Sequence, residues 1–252
     1  MKNLILITCL FMVSVVHAQT PKASIELGKK RGWIGISAGA AIPLGDFGSS
    51  SVFDEKAGLA KLGFALNADI TVPFNSNIGA IFSLNGFINP TDEDAVKGFL
   101  ALLYPGVTRE VSMGAWKAGS LLAGFYAKSN GPDGRPSVYL KVQTGYALTA
   151  SPEMSITLRS GSNYSTVKQN SGTAGAWVFN GGTGIMIPLN DGGPSVQIGV
   201  NFIMMKSDFE DVEATSEEKS GNAPVQKTTT TGDFSMTFSN LIVNAGLVWS
   251  LQ

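Results

Sequence analysis

Asp69 and Lys141 are the two residues whose type and placement most suggest chemistry inside a protein wall. Each falls in a run of period-2 alternation, on the side that carries small and polar residues, and each stands four residues from the place where its run meets a short turn. Equal offsets put the two charges at similar depth. A lone charge in a narrow interior is costly where water is scarce, so two arrangements are open: an interior salt bridge that plugs the turn end, or two charges solvated separately by interior water. A carboxylate-to-ammonium separation beyond about 6 Å, with no bridging group, would dispose of the pair.

The usual catalytic side chains are scarce. The only cysteine is Cys9 and the only histidine is His17. Both lie in a segment with a positive start at Met1-Lys2, an apolar run from Leu4 to Val16, and Val16-His17-Ala18 before Gln19. That pattern predicts a secretory signal peptide over residues 1–18. The run is too short to span a bilayer as an anchor, and Thr8 before Cys9 is bulkier than a lipoprotein site prefers. Cleavage after Ala18 would remove both residues, which excludes His/Cys zinc sites, Ser-His-Asp triads, Cys-His pairs and disulfides from the mature chain. The expectation is a protein that is not an enzyme and carries no metal or cofactor.

Three other groupings are candidates for chemistry. Asp208, Glu210, Asp211, Glu213, Glu217 and Glu218, followed by Thr228 to Thr231, read as a solvated loop; a divalent-cation or adhesive surface is the alternative, without the D-x-D-x-D-G spacing of an EF-hand. Behind the acidic start Thr91-Asp92-Glu93, residues Val96, Phe99, Leu100 and Leu103 follow helical spacing and predict a short helix within 92–104 that caps the fold, lies on a membrane or meets a partner. The glycine clusters contain no G-x-x-x-x-G-K-[ST], and Gly182, Gly184 and Gly199 read as small residues that make room for interior side chains.

Composition says what kind of wall must position these residues. Of 252 residues only 15% are charged, well below the roughly 25% of an average soluble domain, while 30 glycines and 11 prolines punctuate the chain. After the N-terminus, every apolar stretch is broken before about 18 residues accumulate, so membrane-spanning helices are excluded. A net charge of -1 and a pI near 5.9 give no basic field for nucleic acid. With the signal peptide removed, 17 basic residues face 19 acidic ones.

Beyond a polar leader at 19–31, alternation recurs in eight strands at approximately 32–42, 62–73, 78–88, 116–129, 137–149, 176–188, 195–206 and 238–251. Their connections alternate strictly between short and long. The short ones, 73–77, 130–136 and 189–194, consist of turn residues; the long ones are 43–61, 89–115, 150–175 and 207–237. All short turns therefore fall at one end of the strands and all long loops at the other, as in barrels with short periplasmic turns and long extracellular loops.

Alternation also sorts the faces. Val138, Leu140, Val142, Tyr146 and Leu148 oppose Tyr139, Lys141, Gln143, Gly145 and Ala147; Leu241, Val243, Ala245, Leu247 and Trp249 oppose Ile242, Asn244, Gly246, Val248 and Ser250. The polar set is mostly Gly, Asn, Gln and Ser, which suits a cramped lumen better than a solvated exterior. The facing of Leu121/Leu122 and Val178/Phe179 is left open by the pattern. About eleven residues per strand, tilted by roughly 40°, rise about 27 Å, close to the roughly 25 Å apolar band of a transmembrane barrel. Trp33 and Trp249 at the turn end, with Trp116 and Trp177 at the loop end, are expected to form two aromatic girdles.

With a signal peptide, eight strands, alternating turns and loops, and a last strand through Gly246-Leu247-Val248-Trp249, the chain resembles the small outer-membrane β-barrel proteins of Gram-negative bacteria, the OmpA/OmpX-like outer membrane protein beta-barrel domain family. The opening Gly35-Ile36-Ser37-Ala38-Gly39-Ala40-Ala41-Ile42-Pro43-Leu44-Gly45-Asp46-Phe47 is similar to that family's first strand and loop. One departure is the end, Trp249-Ser250-Leu251-Gln252, where such barrels usually finish on an aromatic residue read by the assembly machinery. The fold expected is an all-β, eight-stranded antiparallel up-and-down transmembrane β-barrel over residues 32–252, with short periplasmic turns and long extracellular loops. Eight strands leave room only for side chains. The resemblance implies export to the cell outer membrane, contact with its lipid and lipopolysaccharide and with the barrel assembly machinery, and a structural or surface-interaction role toward an envelope partner. Two alternatives are a small passive porin and a soluble periplasmic lipocalin-like barrel binding an apolar ligand; in the latter Leu140, Val142, Val243 and Leu247 would point inward.

Overall fold

A computed structural model describes residues 32–129, 135–189 and 193–251. The expected signal peptide and polar leader (1–31) and parts of two expected turns (130–134, 190–192) lie outside the described residues. In chain order the elements are β1 (Trp33–Pro43), β2 (Gly63–Pro73), β3 (Ile78–Pro90), helix α1 (Glu93–Leu103), β4 (Thr108–Met113), β5 (Ala115–Lys128), β6 (Ser137–Ala150), β7 (Met154–Ser160), β8 (Asn163–Gln169), β9 (Thr173–Pro188), β10 (Ser195–Lys219) and β11 (Gln226–Ser250). A single 3-10 turn spans Gly45–Gly48.

Eight of these strands close a ring in the order β1-β2-β3-β5-β6-β9-β10-β11, and β11 returns to β1 from Trp33↔Ser250 to Pro43↔Asn240. Every pairing is antiparallel between strands adjacent in the ring, so the protein is an eight-stranded up-and-down β-barrel with no edge in its wall. The eight strands are those the alternation predicts. Local turn chemistry sets their register: Asn75 Oδ1 accepts the backbone N–H of Asn77 at 2.9 Å and of Ile78 at 2.8 Å, which folds the chain from β2 back into β3.

The long connections hold more structure than the sequence suggests. Residues 207–237 are not a solvated loop: β10 and β11 continue past the ring as one hairpin, paired out to Glu218↔Gln226. Val212, Thr215 and the run Thr228–Thr231 are β-branched and favour strand. A bulge at Glu210 and Asp211 re-aims the hairpin where it leaves the barrel; Asp211 has φ of 52° and its N–H donates to Asp233 Oδ1 at 2.9 Å. The connection over 150–175 contains the hairpin β7–β8, which pairs β8 to β10, and β4 completes an outer leaf in the order β11-β10-β8-β7-β4. Helix α1 forms where its spacing predicts, with Asp92 accepting the Ala95 N–H at 3.3 Å as N-cap. It does not cap the lumen. Its buried Val96 and Leu100 pack with Val111 of β4 and with Leu59, Ile156 and Leu158, a small core of its own beneath the leaf.

The wall is inverted relative to a soluble barrel. Leu140, Val142, Val243 and Leu247 point outward and are exposed, as are Ile36, Phe64, Leu84 and Phe125, so the facing demanded by the lipocalin-like alternative is not found. The ambiguous pairs resolve cleanly: Leu121 is 69% exposed and Leu122 3%, Val178 is fully buried and Phe179 outward.

The lumen is stacked in three tiers. Trp33, Ile81, Tyr126, Tyr139, Met186 and Val248 form an apolar layer at the turn end. Phe47, Phe87, Trp116, Phe209 and Phe238 anchor another at the loop end. Between them lies a polar tier that includes Ser37, Asn67, Asp69, Ser83, Asn85, Lys141, Gln143, Asn180, Asn201 and Asn244, all buried.

Candidate functional site

The polar tier is the one place in the described barrel where buried charge accumulates. Lys141 on β6 and Asp69 on β2 stand three strands apart around the ring, and the ammonium reaches across the lumen to within 3.2 Å of Asp69 Oδ2 and 3.3 Å of Oδ1. Their side chains are 1% and 3% exposed. The separation lies well inside the limit that would have excluded a pair, so of the two arrangements the sequence leaves open, the bridged one is present.

A hydrogen-bonded chain extends from the pair around the lumen. Ser83 Oγ donates to Asp69 Oδ1, Gln143 Nε2 donates to Ser83 Oγ at 2.6 Å, and Asn180 Nδ2 donates to Gln143 Oε1 at 2.8 Å. The carboxylate thus receives two kinds of donor, which offsets the desolvation that an isolated buried charge would suffer. Glycine makes the geometry possible at two positions. A methyl at Gly184 or Gly199 would fall 2.6 or 2.5 Å from the Tyr139 hydroxyl, so only glycine lets that ring lie across β9 and β10 to accept Gln197 Nε2 at 2.6 Å.

Both ends of this chamber are lined by buried aromatic side chains. At the turn end Trp33 and Tyr126 meet edge to face with centroids 6.1 Å apart. At the loop end the 3-10 turn after β1 folds back into the mouth and sets Phe47, fully buried, 4.9 Å from Phe238 and 6.0 Å from Trp116. Trp116 donates its Nε1–H to Gly58 O at 2.7 Å, tying the same loop down.

The expected girdles are therefore corrected. Trp177 (68% exposed) and Trp249 face outward, Trp177 packed edge to face on Tyr146 at 6.1 Å, but Trp33 and Trp116 face the lumen. Position along the strand gives depth only; the pleat decides the face. Trp33 has the parity of Ser37 and Trp116 that of Ser120 and Leu122, all buried, which turns both rings inward. Phe47, Ser83, Gln143 and Asn180 join the site without having stood out in the sequence as functional; the signal available is their parity with Asp69 and Lys141 or, for Phe47, a lone aromatic in a Gly-rich turn.

Outside the barrel, the acidic segment is distributed along β10. Lys206 pairs with Asp208 at 3.4 Å, Ser235 donates to Asp208 at 2.6 Å, and Lys227 pairs with Glu217 at 3.6 Å. Among the described residues no group of three His, Cys, Asp or Glu is placed to hold a metal ion. At the base of α1, burial raises the Asp92 carboxyl, but donors from Lys61, Ser50 and the Ala95 N–H outweigh it and hold the group below its ordinary range.

No family model and no curated protein matches the sequence. Among solved structures the chain is similar to Ail, the attachment invasion locus protein of Yersinia pestis, with 13% identity over 88% of this chain and 100% of that one and a TM-score of 0.39. It is also similar to Neisserial surface protein A, with 10% identity over 87% and 96% and a TM-score of 0.39. A major outer membrane protein from Thermus thermophilus gives 10% identity over 87% and 99% and a TM-score of 0.45. These likenesses single out no OmpA or OmpX branch.

Proposed function

We propose that the protein is a non-enzymatic barrel of the cell outer membrane, exported by its N-terminal signal peptide, with a closed lumen and a surface-interaction role carried by the outer leaf. The observation that carries this reading is the inversion of the wall: apolar side chains outside, a polar tier inside, and aromatic layers at both ends of it. An outward belt of Ile, Leu, Val and Phe in water would be a large exposed apolar surface, whereas lipid tails solvate it without cost. In that setting the partners are outer-membrane lipid and lipopolysaccharide around the belt, and the assembly machinery during insertion.

The surface role rests on β11. Its ring pairing to β1 ends at Asn240, and on that side residues Gln226 to Gly232 have no strand partner among the described residues. The segment is fully exposed, rich in threonine, and presents unpaired backbone donors and acceptors to which an extended segment of an envelope or surface partner can add.

The test is outer-membrane fractionation followed by electrophoresis of unboiled and boiled samples in detergent. The expected result is a heat-dependent mobility shift in outer-membrane material. Recovery in the soluble periplasmic fraction with no shift would remove the membrane reading. In planar bilayers the barrel is expected to give no stable large-conductance pore; such a pore would return the passive porin to first place.

A further inference from the structure

Helix α1 is apolar on both of its faces, and only one is covered. Val96 and Leu100 are buried in the small core with Val111, Leu59, Ile156 and Leu158. With about 3.6 residues per turn, the opposite face carries Ala95, Gly98, Ala101 and Leu102, with Phe99 at its border. Leu102 is 82% exposed, and Phe53 of the loop after β1, 83% exposed, lies edge to face on Phe99 with ring centroids 4.9 Å apart. From Gly98 to Leu103 the helix has no polar side chain. A helix that is apolar all round belongs in a core, and this one has half of a core.

The bilayer around the ring does not account for that face. The helix starts at the rim, where Asp92 meets Lys61 at 3.0 Å and Ser50 at 3.0 Å. It runs antiparallel to β4, as the bonds from the Met113 N–H to Glu93 at 2.9 Å and from Arg109 to the Tyr104 carbonyl at 3.0 Å fix. β4 joins the ring strand β5 through Gly114 at its Met113 end, and its Thr108 end pairs with Arg159 beside the β7–β8 turn. Leu102 therefore sits at the end of α1 away from the barrel, roughly 15 Å from the rim along the helix axis.

Gly98 is a second, independent observation. Glycine disfavours a helix interior, and nothing in this chain calls for it: a Cβ built at Gly98 meets no atom within 4 Å beyond its own helix. A bare glycine at the centre of an exposed apolar face lets another helix backbone come close. The charges do not oppose a like partner. Asp94 lies 3.7 Å from Lys61 and Glu93 3.0 Å from Lys97, so the acidic start of the helix is neutralised within its own chain.

Two barrels in one membrane share an orientation, so a two-fold axis along the membrane normal brings α1 of one against α1 of the other at equal height. The apolar face then meets its own likeness, Gly98 against Gly98 and Leu102 against Leu102. Confinement to one membrane raises the effective concentration, so a patch smaller than a standard interface suffices. We propose that two copies of this chain associate through α1, with Gly98 at the crossing and Phe53, Phe99 and Leu102 packed around it. The pairing rests on the outer-membrane reading above, which the heat-dependent mobility shift reports separately.

The chain's only cysteine, Cys9, lies in the segment expected to be cleaved, so Leu102→Cys gives the mature chain a single thiol. The variant, shown by its mobility shift to be a folded membrane barrel, is oxidised with copper phenanthroline in isolated outer membranes. The expected product is a disulfide-linked dimer of this chain, while Thr229→Cys, also exposed, on β11, gives none. No dimer from Leu102→Cys, or as much dimer from Thr229→Cys, overturns the pairing. A disulfide to a different protein replaces the second copy by an unlike partner and overturns it as well. Gly98→Leu, added to Leu102→Cys, fills space that is open within the chain, so the barrel should keep its mobility shift while the cross-linked fraction falls severalfold. An undiminished cross-link there would remove Gly98 from the crossing, and the proposal with it. An unsubstituted chain that is soluble and shows no shift would strike the membrane reading itself, and the pairing along with it.

Discussion

Lys141 and Asp69, 72 residues apart in sequence, meet at 3.2 Å across the barrel and brace β6 against β2. A strut of this kind is costly to half-remove. Asp69→Asn leaves a buried ammonium without its counter-charge, and Lys141→Met leaves a buried carboxylate supported only by Ser83. Each single change is expected to destabilise the barrel by about 3–5 kcal/mol, while the double change recovers most of that loss. Urea-driven unfolding of the four proteins in lipid vesicles measures the coupling. Single effects that simply add in the double variant would mean the two groups do not act on each other.

The loop-end closure depends on one side chain from outside the wall. Phe47 enters the mouth from the 3-10 turn and packs on both Phe238 and Trp116, whose rings also meet each other edge to face at 5.3 Å. Phe47→Ala is expected to cost about 3–5 kcal/mol, in the range of large buried aromatics. It should not open a pore, because the turn-end layer of Trp33, Tyr126 and Tyr139 is untouched. Thermal unfolding and single-channel recording together check this. A stable open conductance in the variant would show that the turn end is permeable and that Phe47 alone seals the barrel.

The ring is legible in the sequence because a barrel wall imposes a strict period: Leu140 and Val142 out, Lys141 and Gln143 in, with turn residues at only one end. Asp69 and Lys141 emerge from the same parity combined with depth. The tryptophans are half misplaced when depth is used without parity; Trp33 sits in phase with Ser37. The outer leaf is less visible. In Thr228–Thr231 and Glu213–Glu218 no face is strongly buried, so hydrophobic alternation is absent, and only β-propensity hints at strand. Phe47 is beyond reach for another reason: a loop residue's destination is a tertiary fact that periodicity does not encode.

Acid should loosen the outer leaf before the barrel. Glu93 accepts the Met113 N–H at 2.9 Å and the Lys97 ammonium at 3.0 Å, and these donors hold its carboxyl below the ordinary range. A depressed folded value means that the stabilisation is complete above the unfolded value of about 4.3 and is lost as the pH falls through the folded value. The protection of amides over residues 93–113, that is, their exchange relative to the intrinsic rate at each pH, should therefore fall on acidification from about pH 6 toward about pH 3. In Glu93→Gln the same segment should exchange faster near neutral pH and respond less to acid; an unchanged acid response would assign the effect to another carboxyl.

The solvent of the outer wall can be read from one substitution. Leu121 sits near the middle of β5 and faces outward. In a bilayer, Leu121→Arg should destabilise the folded barrel by about 2–4 kcal/mol, as expected for a cation near the midplane. In a water-solvated barrel the same change would be neutral. Refolding equilibria in lipid vesicles, with an arginine on the exposed outer leaf at Thr229 as control, separate the two cases.

The outer leaf can be cut away without opening the ring. Pairing of β9 with β10 ends at Met205↔Val178, and β10 still pairs with β11 at Phe209↔Phe234 just inside the bulge. Replacing residues 210–233 by Asn-Gly, a two-residue hairpin turn, keeps every one of those pairs. It removes the strand to which β8 is joined from Ala214↔Gln169 to Lys219↔Tyr164. The truncated protein should insert into membranes and retain its heat-dependent mobility shift, while proteolysis within 154–169 increases as β7 and β8 lose their support. Surface binding that depends on the β11 edge should disappear in the same variant. Loss of the mobility shift would instead mean that the hairpin contributes to barrel closure, because the ring pairs that remain would then be insufficient to hold the wall shut.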